Sequence, residues 1–371
     1  MYLVTHNGER SHVVALRPTI NAATLRFEQT GRTPLANVVS NQLVTLTWAP
    51  CDEKYTHEHA RYSVVADGVA VVDGEAIIVT NQDHEANTGP WRRLADAGIE
   101  VREWKIDPTT GRLEPEDLEA MLDENVRLVC FPHCSNVVGE INPVVEITAL
   151  AHAAGAFVCV DGVSYAPHGL PDVGLMGPDI YLFSAYKTYG PHQGIMVIRR
   201  ALGALLPNQG HYFNAGSLYK RFTPAGPDHA QVAACAGMAD YFDSLANHHS
   251  IQGLPSARMA GVHDLMRAHE TTLLQPLLDF LSARNDLRLL GPRNAENRAP
   301  TVALDLGRDP APIAQALAAK GINAGAGDFY AVRALEGQGV NSKRGVLRLS
   351  FVHYTSVDEI DALIAALDSV L

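Results

Sequence analysis

The chain lacks any apolar run of the ~18–20 residues that a membrane-spanning helix needs, so no membrane association is expected. It lacks a run of lysines and arginines, and its formal net charge is −12, which argues against a nucleic-acid-binding surface. The first residues show no basic stretch followed by an apolar one, so no secretory signal is predicted. These absences favour a cytoplasmic protein.

Cysteine is scarce, with five residues in 371, an odd number without paired motifs. That usage is typical of reduced thiols rather than of a disulfide framework. Cys130 and Cys134 flank His133, but no second ligand pair follows at zinc spacing, and Cys130 continues an apolar run. No metal site is therefore predicted.

A chain of this length is expected to form two domains, at ~100–200 residues each. Strand-like and helical patterns alternate from residue 75, which predicts an α/β fold with a mostly parallel sheet. The pattern after residue 255 predicts a smaller α+β domain. Residues 1–70 show poor periodicity and are expected to be a divergent or incomplete N-terminal segment. The sequence predicts a large domain at residues 71–254 and a small C-terminal domain at residues 255–371.

Short apolar runs and amphipathic stretches give the predicted elements. In the large domain, strands are expected at residues 76–80, 100–104, 127–131, 156–160, 180–183 and 194–199, and helices at 91–97, 114–122 and 145–154. In the small domain, strands are expected at 301–306, 322–326 and 346–351, and helices at 258–283, 312–320 and 358–371.

Two of the apolar runs end in reactive polar residues. Asp161 follows Val158–Val160, and Lys187 follows Ile180–Phe183. Ligands of open α/β sheets bind at the carboxyl ends of the strands. A lysine and a carboxylate there suit a pyridine-aldehyde cofactor, because the amine condenses with the aldehyde and the acid keeps the ring nitrogen protonated. Taken singly, a solvated strand-end lysine and a helix N-cap acid are the commoner interpretations.

Further polar residues follow predicted strands or, in the case of Arg348, interrupt one. The imidazole of His84 could stack on a planar ring, or His84 could be an ordinary loop residue. Asn136 could bind a ring oxygen or serve a turn. The hydroxyls of Ser184 and Tyr186 suit a phosphate. The guanidinium of Arg348 could bind a substrate carboxylate through two parallel hydrogen bonds, or pair with a surface acid.

Five segments occur in an order and spacing that resemble one known family. They are residues 83–91, 133–139, 161–168 and 184–187, and Arg348 with residues 352–355. Together they resemble the class V aminotransferase family of fold-type I pyridoxal-phosphate enzymes, and most of all its cysteine-desulfurase-like and isopenicillin-N-epimerase-like branch. The resemblance covers roughly residues 75–371.

The resemblance implies a fold and partners. It implies the fold of the PLP-dependent transferases, with a mostly parallel central sheet in the cofactor-binding domain and a smaller α+β C-terminal domain. Pyridoxal 5′-phosphate would be the cofactor, an amino acid or amine the substrate, and a homodimer the assembly.

The resemblance also implies roles for single residues. Lys187 would form the internal aldimine, Asp161 would pair with the pyridine nitrogen, and His84 would stack on the ring. The remaining implied contacts are Asn136 with the ring hydroxyl oxygen, Ser184 and Tyr186 with the phosphate, Ser164 near the ring oxygen, where many relatives have a glutamine, and Arg348 with the substrate carboxylate.

The chain departs from the family pattern in its phosphate-binding parts and in one loop. The Gly/Ser/Thr-rich turn that opens a phosphate-binding helix in the family is not found, and residues 41–47 are only a poor candidate. Pro227 stands near the place of a threonine that in relatives reaches the partner's phosphate. The stretch from Gly325 to Leu347 contains no cysteine, whereas desulfurases carry one on a loop before the carboxylate-binding arginine.

The leading prediction is therefore a PLP-dependent enzyme with transaminase or lyase chemistry, while racemisation stays open. A persulfide-forming desulfurase is not expected. The alternative is a degenerate, non-catalytic relative with an impaired phosphate site, serving as a dimeric binding or scaffold protein. An α/β dinucleotide enzyme is disfavoured, because no Gly-x-Gly-x-x-Gly turn follows a strand.

Overall fold

The computed structural model describes residues 75–223 and 226–371, together with the backbone of five short strands between residues 2 and 47. Contacts divide the chain into two compact units. The first comprises Met1–Arg61 and Asn208–Pro224, and the second comprises Tyr62–Pro207 and Ala225–Leu371. Both of the predicted domains after residue 70 fall largely in the second unit, and the boundary at residue 254 stays a prediction.

The first unit contains short antiparallel strands. They are β1 (Tyr2–His6), β2 (Ser11–Ala15), β3 (Thr19–Asn21), β4 (Thr24–Arg26) and β5 (Val44–Thr47). One sheet has the order β2-β1-β5, and β3 pairs with β4. The poor candidate for a phosphate-binding turn, residues 41–47, thus ends in a strand. Its first three residues, and residues 64–72, where a strand pair or a helix was considered, lie outside the described residues.

The second unit is built on a six-stranded sheet. Its strands are β6 (Ala76–Thr80), β7 (Glu100–Trp104), β8 (Val126–Pro132), β9 (Phe157–Asp161), β10 (Ile180–Ser184) and β11 (Gly194–Ile198). The order is β11-β10-β9-β8-β6-β7, and all neighbours are parallel except β10 and β11. This confirms the predicted mostly parallel sheet.

Helices lie between the strands of this sheet or follow its last strand in the chain. They are α1 (Glu85–Arg92), α2 (Pro115–Met121), α3 (Val144–Ala153), α4 (Val173–Met176), α5 (Arg200–Leu205), α6 (His229–Ala234) and α7 (Ala236–His248). All five residues of β6 are buried, because a parallel strand packed on both faces excludes water from every side chain. Trp104 and Phe131 are fully buried and pack in the same core.

A second, antiparallel sheet completes the second unit. Its strands are β12 (Arg288–Leu290), β13 (Thr301–Asp305), β14 (Gly325–Gly327) and β15 (Val346–Ser350), in the order β12-β13-β15-β14. The accompanying helices are α8 (Pro255–Ser282), α9 (Ala311–Ala318), α10 (Val332–Gly337) and α11 (Val357–Val370). Leucines of α8 pack with β13, β15 and α11 around a second core.

Two predicted boundaries were wrong for identifiable reasons. The helix expected at residues 91–97 begins at Glu85, because the side chain of His84 accepts a hydrogen bond from the Ala86 amide and caps it. It continues as a 3₁₀ turn to Ala97. The strand expected at 322–326 is the short β14, which pairs with β15 through the glycine-rich run. Within residues 75–223 and 226–371, none of the helices is both long and apolar enough to cross a bilayer.

Candidate active site

Adjacent parallel strands bring the predicted acid and the predicted lysine turn to one edge of the sheet. Asp161 is the last residue of β9, and Ser184 is the last residue of β10. Asp161 stands opposite Leu182 in the register of these two strands. Lys187 lies in the 3₁₀ turn Ala185–Lys187, directly after β10. The carboxylate and the amine therefore both follow strands at the carboxyl edge, where open α/β sheets bind ligands.

Asp161 is held in a buried position. Its side chain is 6% exposed, and its Oδ1 accepts a hydrogen bond from the Val163 amide at 2.8 Å. Its backbone oxygen accepts a further bond from the His133 amide at 2.8 Å, which ties the end of β9 to the end of β8. The Asp161 carboxyl group is therefore held in a fixed orientation at the strand tip.

The Lys187 turn is closed by its own backbone and leaves the amine accessible. The Ala185 carbonyl accepts hydrogen bonds from the amides of Thr188 and Gly190, both at 2.8 Å. Lys187 is exposed, and its Nζ lies 5.5 Å from the centroid of the Tyr186 ring. A primary amine at this position can reach a ligand aldehyde without unfolding the turn.

Of the two hydroxyl residues predicted to bind a phosphate, Ser184 directly precedes this turn and Tyr186 lies within it. Ser184 is half-buried, and its carbonyl accepts a hydrogen bond from the Thr188 hydroxyl at 3.1 Å. Tyr186 is 38% exposed and stacks on His192, with ring centroids 4.7 Å apart. Ser164 lies half-buried in the segment that follows β9. All three hydroxyls thus lie at or just past the carboxyl ends of β9 and β10.

His84 occupies the N-terminus of α1. Its Nδ1 accepts the Ala86 amide hydrogen at 3.0 Å. Because Nδ1 is the acceptor, a neutral His84 carries its proton on Nε2. The His84 ring lies 5.4 Å from the Tyr330 ring, at an interplanar angle of 49°. The imidazole is therefore fixed in both orientation and tautomer.

A two-residue corner between β14 and α10 joins the other nominated residues. Phe329 and Tyr330 have φ angles of 54° and 56°, which are uncommon for residues other than glycine and costly for bulky ones. The Phe329 carbonyl accepts a hydrogen bond from the side-chain amide of Asn136 at 2.9 Å, and the Tyr330 carbonyl accepts one from the Glu85 amide at 2.7 Å. These bonds hold the corner against the Asn136 loop and against α1, the helix that His84 caps.

Arg348 contacts both the corner and the Asn136 loop. It lies on β15, and one terminal nitrogen donates to the Asn136 carbonyl at 2.9 Å. Its guanidinium carbon stands 3.9 Å from the centroid of the Phe329 ring, a cation–π contact. Burial lowers the pKa of the Arg348 guanidinium from its ordinary value, and arginine nonetheless stays charged at neutral pH. The predicted residues His84, Asn136 and Arg348 thus meet around one corner, which the sequence did not reveal.

Asp83 was missed among the site residues, although it directly precedes His84. Its side chain is 1% exposed and binds the Thr80 hydroxyl and the Asn87 amide, the latter at 2.7 Å. Burial is the main cause that raises the pKa of the Asp83 carboxyl to about 7, and the negative charge of Asp161 adds to the rise. In the sequence, the position of Asp83 next to His84 is the one signal that could have pointed to it. Its burial and its electrostatic interaction with Asp161 are visible in the structure alone.

Asp83 gives the protein a pH-dependent stability that Asp83→Asn removes. The folded carboxyl has a pKa of about 7 against 3.8 for the free side chain, so folded protein binds more protons than unfolded protein between these values. The free energy of unfolding therefore falls as pH rises from 4 to 7, by at most about 4 kcal/mol from this group. Urea unfolding of cofactor-free protein at pH 4.5 and 7.5 should show a smaller fall for the variant. Equal falls in both proteins would contradict the assignment.

The donors and acceptors present fit a pyridoxal ring. A buried carboxylate at Asp161 suits a protonated ring nitrogen, and an accessible amine at Lys187 suits an aldehyde. The Asn136 amide nitrogen has two hydrogens, of which the Phe329 carbonyl takes one, so a second is available to a ring oxygen. The Asn136 Oδ1 is buried without a protein partner within the described residues. An incompletely used amide of this kind is what a bound ligand would complete.

Comparisons with known proteins identify the family of the chain. The family model described as aminotransferase class-V matches residues 59–363. An aminotransferase-like protein of Gibberella zeae is 33% identical over 316 residues, which cover 83% of this chain and 75% of the relative. A cysteine desulfurase of Yersinia pseudotuberculosis is 32% identical over 317 residues, covering 81% and 72%.

Solved structures show the same fold. A cysteine desulfurase of Escherichia coli matches with a TM-score of 0.68 at 24% identity, covering 84% of this chain and 77% of that one. A cysteine desulfurase of Thermococcus onnurineus also matches with a TM-score of 0.68, at 22% identity and with the same coverage. The family match extends over most of the sequence, from the end of the first unit to α11. The chain belongs to the class V aminotransferase family, the fold is that of fold-type I enzymes, and the cofactor of the family is pyridoxal 5′-phosphate.

Proposed function

We propose that this chain is a pyridoxal-phosphate enzyme that acts on an amino acid or amine by transamination or elimination. The observation that carries the proposal is the placement of Asp161 and the Lys187 turn after two adjacent parallel strands. The corner at Phe329 and Tyr330, which gathers groups suited to a substrate, supports it. We also propose a homodimer, as the family resemblance implies.

The residues take distinct tasks in this proposal. Pyridoxal 5′-phosphate, when bound, withdraws electrons from the substrate carbon next to the amine. Asp161 would hold a proton on the ring nitrogen. Lys187 would hold the aldehyde until the substrate amine displaces it, and the freed Nζ would then take the α-proton. His84 covers the ring face with its Nε2–H fixed by the bond at Nδ1.

The substrate side of the proposal rests on Arg348 and Asn136. The Arg348 guanidinium binds the substrate carboxylate, because it is charged, partly buried and already oriented by Phe329 and the Asn136 carbonyl. The second hydrogen of the Asn136 amide binds the ring hydroxyl oxygen. Ser184 and Tyr186 bind the phosphate, and Ser164 lies toward the ring oxygen.

Persulfide chemistry is not part of the proposal, although several relatives are named cysteine desulfurases. The segment from Gly325 to Leu347 contains no cysteine. The corner that faces His84 there presents Tyr330, whose side chain is 71% exposed. A phenol cannot accept sulfur from a substrate as a thiolate can. The remaining routes from a substrate carbanion are proton return, amino-group transfer and loss of a side-chain group.

A product survey tests the proposed function. The protein is incubated with pyridoxal phosphate, single amino acids and 2-oxo acid acceptors. We expect the 2-oxo acid or eliminated product of at least one amino acid, and we expect no protein persulfide after incubation with L-cysteine. Mass spectrometry of the five cysteines provides the second readout. Persulfide on any of them would overturn the exclusion of desulfurase chemistry. Absence of any product, together with no borohydride-stable adduct on Lys187, would indicate the non-catalytic relative instead.

A further inference from the structure

His353, which follows β15, contacts two tyrosines. Tyr189 follows the Lys187 turn, and Tyr241 lies on α7. The Tyr189 hydroxyl lies 3.1 Å from Nδ1 of His353, and the Tyr241 hydroxyl lies 2.7 Å from its Nε2. The Tyr189 hydroxyl also donates to the Pro167 carbonyl. We name Tyr189, His353 and Tyr241 the phenol–imidazole clamp.

Counting hydrogens defines the state of the clamp. A carbonyl oxygen only accepts, so Tyr189 gives its single hydroxyl hydrogen to Pro167. The contact between the Tyr189 oxygen and Nδ1 of His353 then requires a hydrogen on Nδ1. In a neutral imidazole this leaves Nε2 as the acceptor of the Tyr241 hydroxyl hydrogen. The contacts thus select the Nδ1–H tautomer, in which every donor of the clamp has an acceptor.

Packing around the clamp supports a neutral and rigid group. Tyr189 and Tyr241 have ring centroids 5.0 Å apart, and the ring of Phe242 meets Tyr189 edge-on at 6.1 Å. Burial lowers the pKa of the His353 imidazole and raises the pKa of both phenols. The groups therefore meet as neutral partners at neutral pH.

The clamp joins the three segments that carry the site. Tyr189 follows Lys187 in the turn, Pro167 belongs to the segment after Asp161, and His353 follows the strand of Arg348. Tyr189 has a φ of 63°, a conformation that is strained for a bulky residue and persists only when its surroundings enforce it. The two contacts of its hydroxyl supply that enforcement.

We propose that the phenol–imidazole clamp is a positioning device, in which His353 as the Nδ1–H tautomer holds the Lys187 turn in register with the segments of Asp161 and Arg348. In this proposal the three clamp residues act through the turn, by way of the contacts of Tyr189 with Pro167 and His353. Their effect on turnover rests on the proposed function, whereas their effect on the turn does not.

The first measurement is the tautomer itself. Nitrogen-15 NMR of histidine-labelled, cofactor-free protein at pH 7.5, with His353→Gln identifying the resonance, should show His353 protonated on Nδ1. A His353 protonated on Nε2 would overturn the proposal, because the Tyr189 contact would then have no hydrogen.

A matched pair of amides tests the positioning role. His353→Asn places an amide donor where Nδ1 lies and loses the link to Tyr241, whereas His353→Gln reaches the place of Nε2 and loses the donor to Tyr189. Amide hydrogen exchange of Thr188 and Gly190, which close the turn, is compared in cofactor-free proteins. We expect exchange about 5–10-fold faster in the Gln variant and nearly unchanged in the Asn variant, since one hydrogen bond is lost at the turn only in the former.

The controls separate the turn from global stability and from the proposed function. Amides of β8 in the sheet core report global opening and should exchange alike in both variants. Equal exchange of the turn amides in the two variants would overturn the proposal. Hydrogen exchange and the His353 tautomer are both measured in cofactor-free protein. A wild type that forms no Lys187 adduct would therefore contradict the proposed function and leave the test of the clamp unaffected. With an active wild type, the Gln variant should lower kcat more than it raises KM, and the Asn variant should retain most of kcat.

Discussion

Lys187→Ala abolishes the covalent adduct with pyridoxal phosphate that borohydride reduction makes permanent, and it lowers turnover by roughly 10⁴-fold or more. The amine is the group that binds the aldehyde and takes the α-proton, and the described turn offers no second amine beside it. Lys187 is exposed, and its ring contact within the described residues is with Tyr186, so removing its side chain should leave the fold intact. Mass spectrometry of the reduced protein locates the adduct, and product formation gives the rate.

The matched control is Lys105→Ala, an exposed lysine just past β7. This variant should retain the adduct, the visible absorption band and the rate of the wild type. A borohydride-stable adduct that persists in Lys187→Ala and disappears in Lys105→Ala would show that the aldehyde binds elsewhere. Unfolding curves of the two variants should coincide, which excludes a loss of fold as the cause.

The fold could be predicted where apolar runs are continuous. Strands such as β6, β9 and β10 each consist of four apolar residues followed by a polar one, so both their type and their carboxyl ends are visible in the sequence. β14 is Gly325–Gly327 and carries no such run. Its extended form depends on hydrogen bonding to its partner strand β15, which a local pattern does not show. The helix α7 was missed, although Met238, Phe242 and Ala246 recur at helical spacing along its buried face.

The site could be predicted only in its local parts. Asp161 and Lys187 could be assigned to one edge of the sheet because each lies at or just past the end of its own strand, and strand ends of one sheet lie together. The corner at Phe329 and Tyr330 depends on backbone contacts with residues far back in the chain, which no local pattern encodes. The same holds for His353, whose partner Tyr189 lies 164 residues earlier. Long-range hydrogen bonds of this kind decide orientation, and a sequence motif decides only which groups are present.

Asp161→Asn should lower kcat by about 10³-fold while leaving the fold and the lysine adduct in place. The asparagine oxygen can still accept the Val163 amide hydrogen at the place of Oδ1, so the change removes charge and preserves shape. Without the charge, the ring nitrogen loses its proton and the ring accepts electrons poorly. The Lys187 amine is untouched and still binds the aldehyde. Stopped-flow absorbance after substrate addition, beside kcat, separates binding from proton removal.

The outcome for Asp83 makes this test sharper. The negative charge of Asp161 contributes to the raised pKa of Asp83, so its removal should lower that pKa. The fall in stability between pH 4 and 7 should therefore be smaller in Asp161→Asn than in wild type. Wild-type kcat in Asp161→Asn, with this change in the stability profile, would show that the carboxylate is a structural neighbour of Asp83 and not the partner of the ring. A lower kcat at unchanged adduct formation assigns the charge to catalysis, because only the proton-removal step then depends on it.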